Sequence, residues 1–232
     1  MRVAVIRFPG SNCEAETCRA VQKSGGEAIY LSYRDRSLQG ADAVILPGGF
    51  SYGDYLRSGA IARFSPVMDA IRAHADSGGP VLGVCNGFQI LCEAGLLPGA
   101  LVRNATLRYL SRPVIVRVER TDTPFTADFQ DGETFKVPIG HGDGRYVATE
   151  DELQRLEENR QVVFRYTGSG FAGVPANPNG SVRDIAGICN RDGNVVGMMP
   201  HPERISDPIQ GAREGMQVFS SLIHSLASRG VS

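Results

Sequence analysis

Cys85 and His201 are the residues through which this chain can do covalent chemistry. The stretch Val81-Leu82-Gly83-Val84-Cys85-Asn86-Gly87-Phe88-Gln89 runs apolar residues into a cysteine with glycine two positions to either side. A buried strand that turns sharply into a helix holds a nucleophile at its apex, and glycine is the residue such a turn tolerates at both flanks. The sulfur then stands out of the sheet at the N-terminus of a helix over residues 87–94. The dipole and unpaired N–H groups there favour thiolate, the reactive form. A second apolar run, Val195-Val196-Gly197-Met198-Met199, ends in Pro200-His201-Pro202-Glu203. Its two prolines fix the backbone around the histidine. Glu203 is placed to hold one ring nitrogen of His201, which leaves the other for Cys85. That is the logic of nucleophile, base and orienting carboxylate. The remaining histidines offer less: His74 and His224 fall in helical stretches, and His141 lies in a glycine-rich loop.

The elements around these residues alternate. Residues 3–8 read as a strand, and Ser11 with Glu14 reads as a capping box for a helix over 13–24, ended by Gly25-Gly26. Strands over 27–32 and 43–47 follow, the latter closed by Gly48-Gly49. After the loop 50–58, Ser65-Pro66 opens a helix to about residue 75, and the strand at Val81 leads into the elbow and its helix, stopped by Gly95. This rhythm predicts an α/β fold, a mostly parallel doubly wound sheet with helices on both faces. The middle changes character. Strands over 101–104, 107–110, 113–119 and 134–139 predict an antiparallel extension of the sheet. Thr149 and Glu152 cap a polar helix to 159, a strand spans 162–167, and 168–181 reads as a surface loop. Strands 185–190 and 195–199 form a hairpin around Asp192-Gly193, with a type I′ turn. Met216, Phe219, Ile223 and Leu226 mark one face of a last helix. No repeat or linker interrupts the chain, which predicts a single domain over 1–232.

Composition narrows the class. At 232 residues and 42% hydrophobic content the chain can bury one sizeable core. A formal net charge of −1 without long runs of one sign argues against nucleic acid or an anionic membrane as partner. No apolar stretch approaches the ~20 residues that cross a bilayer, and the first residues do not read as a signal peptide. The five cysteines lack metal-ligand spacing, so no metal is expected, and a reduced cytoplasm is the simplest setting.

Gly83 to Gln89 and Pro200 to Glu203 resemble the two signatures of the class I, triad-type glutamine amidotransferases. Three more stretches are similar to one branch of that family: Phe8-Pro9-Gly10-Ser11-Asn12-Cys13-Glu14, the run from Pro47 to Gly59, and His141-Gly142-Asp143-Gly144-Arg145-Tyr146. The resemblance covers residues 1 to about 224. It implies a glutaminase that hydrolyses glutamine through a cysteine thioester, with Cys85, His201 and Glu203 as triad. The ammonia would pass to an ATP-dependent synthetase that converts formylglycinamide ribonucleotide to formylglycinamidine ribonucleotide in purine biosynthesis. Position assigns the oxyanion hole to the backbone N–H of Asn86, after the nucleophile, and to that of Gly49, in the turn ending a strand expected beside the elbow. The resemblance also suggests Gln89, one helical turn beyond Cys85, as a glutamine contact; His141 is a further candidate. This chain carries no Walker-type phosphate loop. The resemblance therefore implies no cofactor here, with ATP and Mg²⁺ in a large synthetase subunit and a small accessory subunit completing the complex. The loop 50–58, beside the oxyanion turn, is a reasonable docking surface. A stand-alone cysteine hydrolase or deglycase-like enzyme on the same elbow is the rival reading, and a redox-sensing module with a reactive Cys85 is another.

Overall fold

The computed structural model describes residues 1–169, 175–206 and 214–229. In chain order its strands are β1 (Arg2–Arg7), β2 (Glu27–Ser32), β3 (Ala43–Leu46), β4 (Val81–Val84), β5 (Ala100–Val102), β6 (Leu110–Val118), β7 (Thr134–His141), β8 (Arg145–Val147), β9 (Val162–Thr167), β10 (Ile185–Cys189) and β11 (Val195–Met198). Its α-helices are α1 (Glu14–Lys23), α2 (Val67–Asp76), α3 (Asn86–Glu93), α4 (Glu150–Glu158) and α5 (Met216–Arg229).

Nine strands form one sheet in the order β2-β1-β3-β4-β11-β10-β9-β6-β7. From β2 to β11 all pairs are parallel, and from β11 to β7 all are antiparallel. The parallel strands are continuous apolar runs because both faces are covered; every residue of β3, β4 and β11 is buried. The chain leaves β1 towards β2 and then returns past β1 to β3 and β4. Right-handed crossovers therefore set α1 and α2 on opposite faces. Helix α1 packs on β1 and β2 and meets α5, while α3 packs on β3, β4 and β11. Phe219, Ile223 and Leu226 are buried on the inner face of α5.

Several local expectations change. Ser11 does not cap α1: its Oγ accepts from the Phe8 N–H at 3.0 Å, and its backbone bridges Gly49, so Cys13 stands at the N-cap without a side-chain bond. The capping box at Thr149 and Glu152 does form. Ser65 likewise does not cap α2, since its hydroxyl pairs with the Tyr52 hydroxyl at 3.1 Å. Residues 107–109 are not a strand; Leu107 adopts φ 57°, which breaks the extended run before β6 begins at Leu110. The β10–β11 connection is not type I′, because only Gly193 has positive φ there, and a 3.1 Å bond from its N–H to the Asn190 carbonyl closes an ordinary turn. Residues 170–174 of the 168–181 loop lie outside the described residues, but Asn179 and Ser181 beyond them are buried. Asn179 Nδ2 donates to the Gly144 carbonyl at 2.9 Å, pinning the short β5–β8 sheet that the sequence did not reveal.

Candidate active site

Strand β4 lies between β3 and β11, with Leu46 opposite Gly83 and Met198 opposite Val84. Parallel pairing makes their C-terminal ends coincide. Three segments remote in sequence thus leave the sheet side by side: the turn after β3, the elbow after β4, and the loop after β11.

The elbow has the strain its glycines predict. Cys85 sits at φ 50°, ψ −103°, a region that side-chain-bearing residues avoid, and its N–H is held by the Met198 carbonyl at 2.8 Å. A Cβ on Gly87 would lie 1.9 Å from the Leu46 carbonyl oxygen, and one on Gly83 would lie 2.6 Å from the Gly87 carbonyl carbon. Neither position has room for a methyl group. Cys85 itself is 4% exposed, and its thiol rests 3.7 Å from the carbonyl of Gly140, at the end of β7.

His201 hangs from the neighbouring loop, anchored by its N–H on the Pro138 carbonyl at 2.9 Å. Its Nδ1 is 2.6 Å from Glu203 Oε1, with both side chains sealed from solvent. Burial opposes a charge on this imidazole, but the Glu203 carboxylate and then the Cys85 sulfur outweigh burial and raise its pKa well above the ordinary value. Nε2 is buried and makes no hydrogen bond, although the Cys85 sulfur is near enough to interact with the ring. The thiol is turned to Gly140 in this resting state, and catalytic hydrogen bonds commonly close only with substrate present.

The turn after β3 faces both residues. A Cβ on Gly48 would come within 2.7 Å of His201 Cε1. The Gly48 carbonyl accepts the N–H groups of Asn12 and Cys13, at 3.2 and 3.3 Å, at the start of α1. In a trans peptide the next N–H points the opposite way, so the Gly49 N–H is aimed away from α1. Asn86, first residue of α3, has an N–H with no intrahelical acceptor. Its side chain accepts from the Ser51 N–H at 3.1 Å and donates to Gln89 Oε1 at 2.9 Å. Gln89 Nε2 in turn donates to the Asp143 carbonyl at 2.6 Å. Both ends of the Gln89 carboxamide are therefore bonded within the protein. The geometry does not favour the substrate contact expected of it and gives it a bracing role beneath Asn86.

His141 is not a competing base. Asn104 Nδ2 donates to the Arg108 and His141 carbonyls at 2.8 and 2.9 Å, which leaves Asn104 Oδ1 as acceptor for His141 Nδ1 at 3.1 Å. Burial, then the charge of nearby His201, pushes the His141 pKa down to about 4. The ring is neutral near pH 7, with its Nε2 buried and unpaired.

Three neighbours went unnoticed in the sequence. Cys13 Sγ lies 3.9 Å from His201 Nδ1, and Arg204 donates to the same sulfur at 3.2 Å. Tyr109 interacts with the charges of Cys85, Arg204 and His201. Arg204 follows the Pro-His-Pro-Glu motif directly, the one signal that pointed to it; only the folded chain brings Cys13 and Tyr109 near. Cys13, His201 and Glu203 place three metal-capable atoms within 4.8 Å of one another. Those atoms already answer one another and Arg204 with hydrogen bonds, and a guanidinium beside the sulfur is a poor neighbour for a metal cation.

Known proteins are similar to this chain in sequence and fold. Residues 1–221 match the family model of the CobB/CobQ-like glutamine amidotransferase domain. A phosphoribosylformylglycinamidine synthase subunit PurQ from Rubrobacter xylanophilus is 56% identical over 96% of this chain and 98% of the relative. A PurQ subunit from Gloeobacter violaceus is 55% identical over 97% of this chain and 98% of its own. Among solved structures, that of PurLQS from Thermotoga maritima aligns with TM-score 0.86 at 42% identity, covering 97% of this chain and 98% of the matched chain.

Proposed function

This chain belongs to the family of CobB/CobQ-like glutamine amidotransferase domains, and on that premise we propose that it is the glutaminase subunit of a phosphoribosylformylglycinamidine synthase. It releases ammonia from glutamine for a synthetase subunit that makes formylglycinamidine ribonucleotide. The observation that carries the chemistry is the adjacency of β3, β4 and β11, which supports Cys85, His201 and Glu203 as one catalytic unit.

Turned from Gly140 towards His201 Nε2, the Cys85 sulfur gives up its thiol proton to that nitrogen. The thiolate attacks the carboxamide carbon of glutamine, and the N–H groups of Gly49 and Asn86 receive the oxyanion. Collapse breaks the C–N bond, and the imidazolium delivers its proton to the leaving ammonia. Water, deprotonated by the same imidazole, then cleaves the thioester to glutamate and restores the thiol. Glu203 holds the Nδ1–H tautomer throughout.

The likeness to a chain of PurLQS supports partner subunits of the PurL and PurS kind; ATP and Mg²⁺ are proposed to serve the synthetase partner, since this chain carries no phosphate-binding loop of its own. The 50–58 loop supports a docking role: Arg57 clamps it to Glu93, yet Tyr55 and Leu56 stand 74% and 92% exposed. No helix among the described residues is long and apolar enough to cross a membrane, and we place the complex in the cytoplasm. A sheet that draws strands from near both ends of the chain supports one domain. Cys85→Ala should abolish synthesis driven by glutamine while preserving synthesis driven by ammonium salts in the assembled complex. Retained glutamine-driven turnover would refute the assignment of the nucleophile.

A further inference from the structure

A glutaminase must recognise more than a carboxamide. With the side-chain amide at Cys85, the other end of glutamine carries a carboxylate about 5 Å farther along an extended chain of ordinary bond lengths. Glu203 has the wrong sign for that group and is engaged with His201. We propose that the guanidinium of Arg204, assisted by the Tyr109 hydroxyl, binds the α-carboxylate of the glutamine that Cys85 attacks. This rests on the glutaminase reading above.

Arg204 is half-buried, and among the described residues no carboxylate lies within ion-pair distance of it. One N–H donates to Cys13 Sγ at 3.2 Å. A thiol fixes the guanidinium without supplying the full countercharge that a carboxylate anchor would bring, so the cation stays available to a substrate anion. The rest of its planar fork offers further N–H donors. Arg204 NH1 lies 3.2 Å from the point a Cβ on Gly140 would occupy, and Tyr109 Oη lies 3.2 Å from that same point. The carbonyl of that same Gly140 is the one 3.7 Å from Cys85 Sγ. Two donors and the nucleophile therefore converge on one bare glycine, where a side chain would crowd both donors at 3.2 Å. Tyr109 also faces Phe50, with ring centroids 6.4 Å apart. That pair supplies an apolar wall for the methylenes of glutamine. Arginine suits the task because its planar fork matches a carboxylate.

The test uses the assembled complex and two amides: glutamine, and 4-aminobutanamide, which is glutamine without its α-carboxylate. Ammonia release is followed for wild type, Arg204→Gln, Arg204→Lys and Tyr109→Phe. Loss of a charge-assisted pair should raise the KM of Arg204→Gln for glutamine about ten- to a hundredfold with kcat nearly unchanged. Its kcat/KM for 4-aminobutanamide should stay at the wild-type value. Arg204→Lys should recover part of the loss, and Tyr109→Phe should show a smaller rise in KM. Equal losses on both amides, or a fall in kcat alone, would overturn the proposal, because Arg204 would then act on the Cys85–His201 pair. If Arg204→Gln fails to fold, the Lys and Phe variants decide by the same ratio of the two amides. Should wild type itself release no ammonia from glutamine in the complex, the glutaminase reading fails first; intact wild-type turnover with unchanged discrimination in the variants sinks the Arg204 assignment alone.

Discussion

In the proposed mechanism the chemistry turns on His201, which accepts a proton from sulfur and returns it to nitrogen. Its raised pKa comes from Glu203 and Cys85 acting against burial, so the imidazolium survives to higher pH than a free imidazole and is lost as pH climbs through the folded-state value. Glu203→Gln removes the larger favourable influence and lowers that value. The alkaline limb of the glutaminase profile should then move to lower pH, with turnover slowed by up to ~10⁴-fold, as for other triad carboxylates. An unmoved limb and wild-type rates in Glu203→Gln, beside a dead His201→Asn, would reduce the triad to a dyad. The elbow at Cys85 and the pairing of His201 with Glu203 were legible in the sequence, because rigid prolines and paired glycines announce their geometry locally. Arg204 and Cys13 were not: a thiol–guanidinium contact across 191 positions leaves no periodic or compositional trace. Gln89 was legible as a neighbour of Cys85 but not as a brace, since its partner Asp143 lies 54 positions away.

At the scale of elements, the elbow depends on α3 pressing against β3 where no side chain fits. Gly87→Ala would drive a methyl into the Leu46 carbonyl, a backbone atom that cannot swing aside. A cost of about 3 kcal/mol is expected, together with loss of glutaminase activity even where the variant folds. Gly95→Ala makes the control: it ends the same helix at φ 70° with open space around it, and should cost only about 1 kcal/mol with activity kept. Thermal unfolding and ammonia assays separate the two; equal effects would remove the close approach of α3 to β3 from the explanation.

The loop after that turn offers a pH test. Burial, with Asp143 nearby, raises the Asp54 pKa to about 6 against the pull of Ser58, and Asp54 Oδ1 is buried without a partner. The folded state therefore holds a proton that the unfolded chain releases at its ordinary 3.8. The associated stability is complete below that value and is lost as pH rises through about 6. Asp54→Asn should stabilise the protein by roughly 1 kcal/mol at pH 8, the full shift being discounted for partial solvent screening, and by nothing near pH 4. A gain independent of pH would show that the carboxyl is not the titrating group. The sequence marked this segment as a loop and gave no hint of its charge. It also misjudged Ser11, whose hydroxyl answers Phe8 in the hairpin-like bridge to Gly49 that local capping rules do not anticipate.

For the molecule as a whole, strand order converts sequence into function. The βαβ rhythm made the parallel half readable, since the apolar runs of β1 and β4 lead directly into the amphipathic helices α1 and α3, and α2 lies between β3 and β4. What the rhythm could not state is that the last parallel strand, β11, inserts beside β4 and carries His201 to Cys85. That pairing joins residues more than a hundred positions apart and is set by the whole sheet. The antiparallel strands β6 and β7 then bring Gly140 and Tyr109 over the sulfur from the opposite direction. The most direct test of this convergence is to find the covalent intermediate. Mass spectrometry of the assembled complex, acid-quenched during glutamine turnover and digested, should show a γ-glutamyl group on the peptide containing Cys85, accumulating when Glu203→Gln slows hydrolysis. Turnover without any adduct on Cys85, or an adduct on Cys13 in its place, would contradict the account.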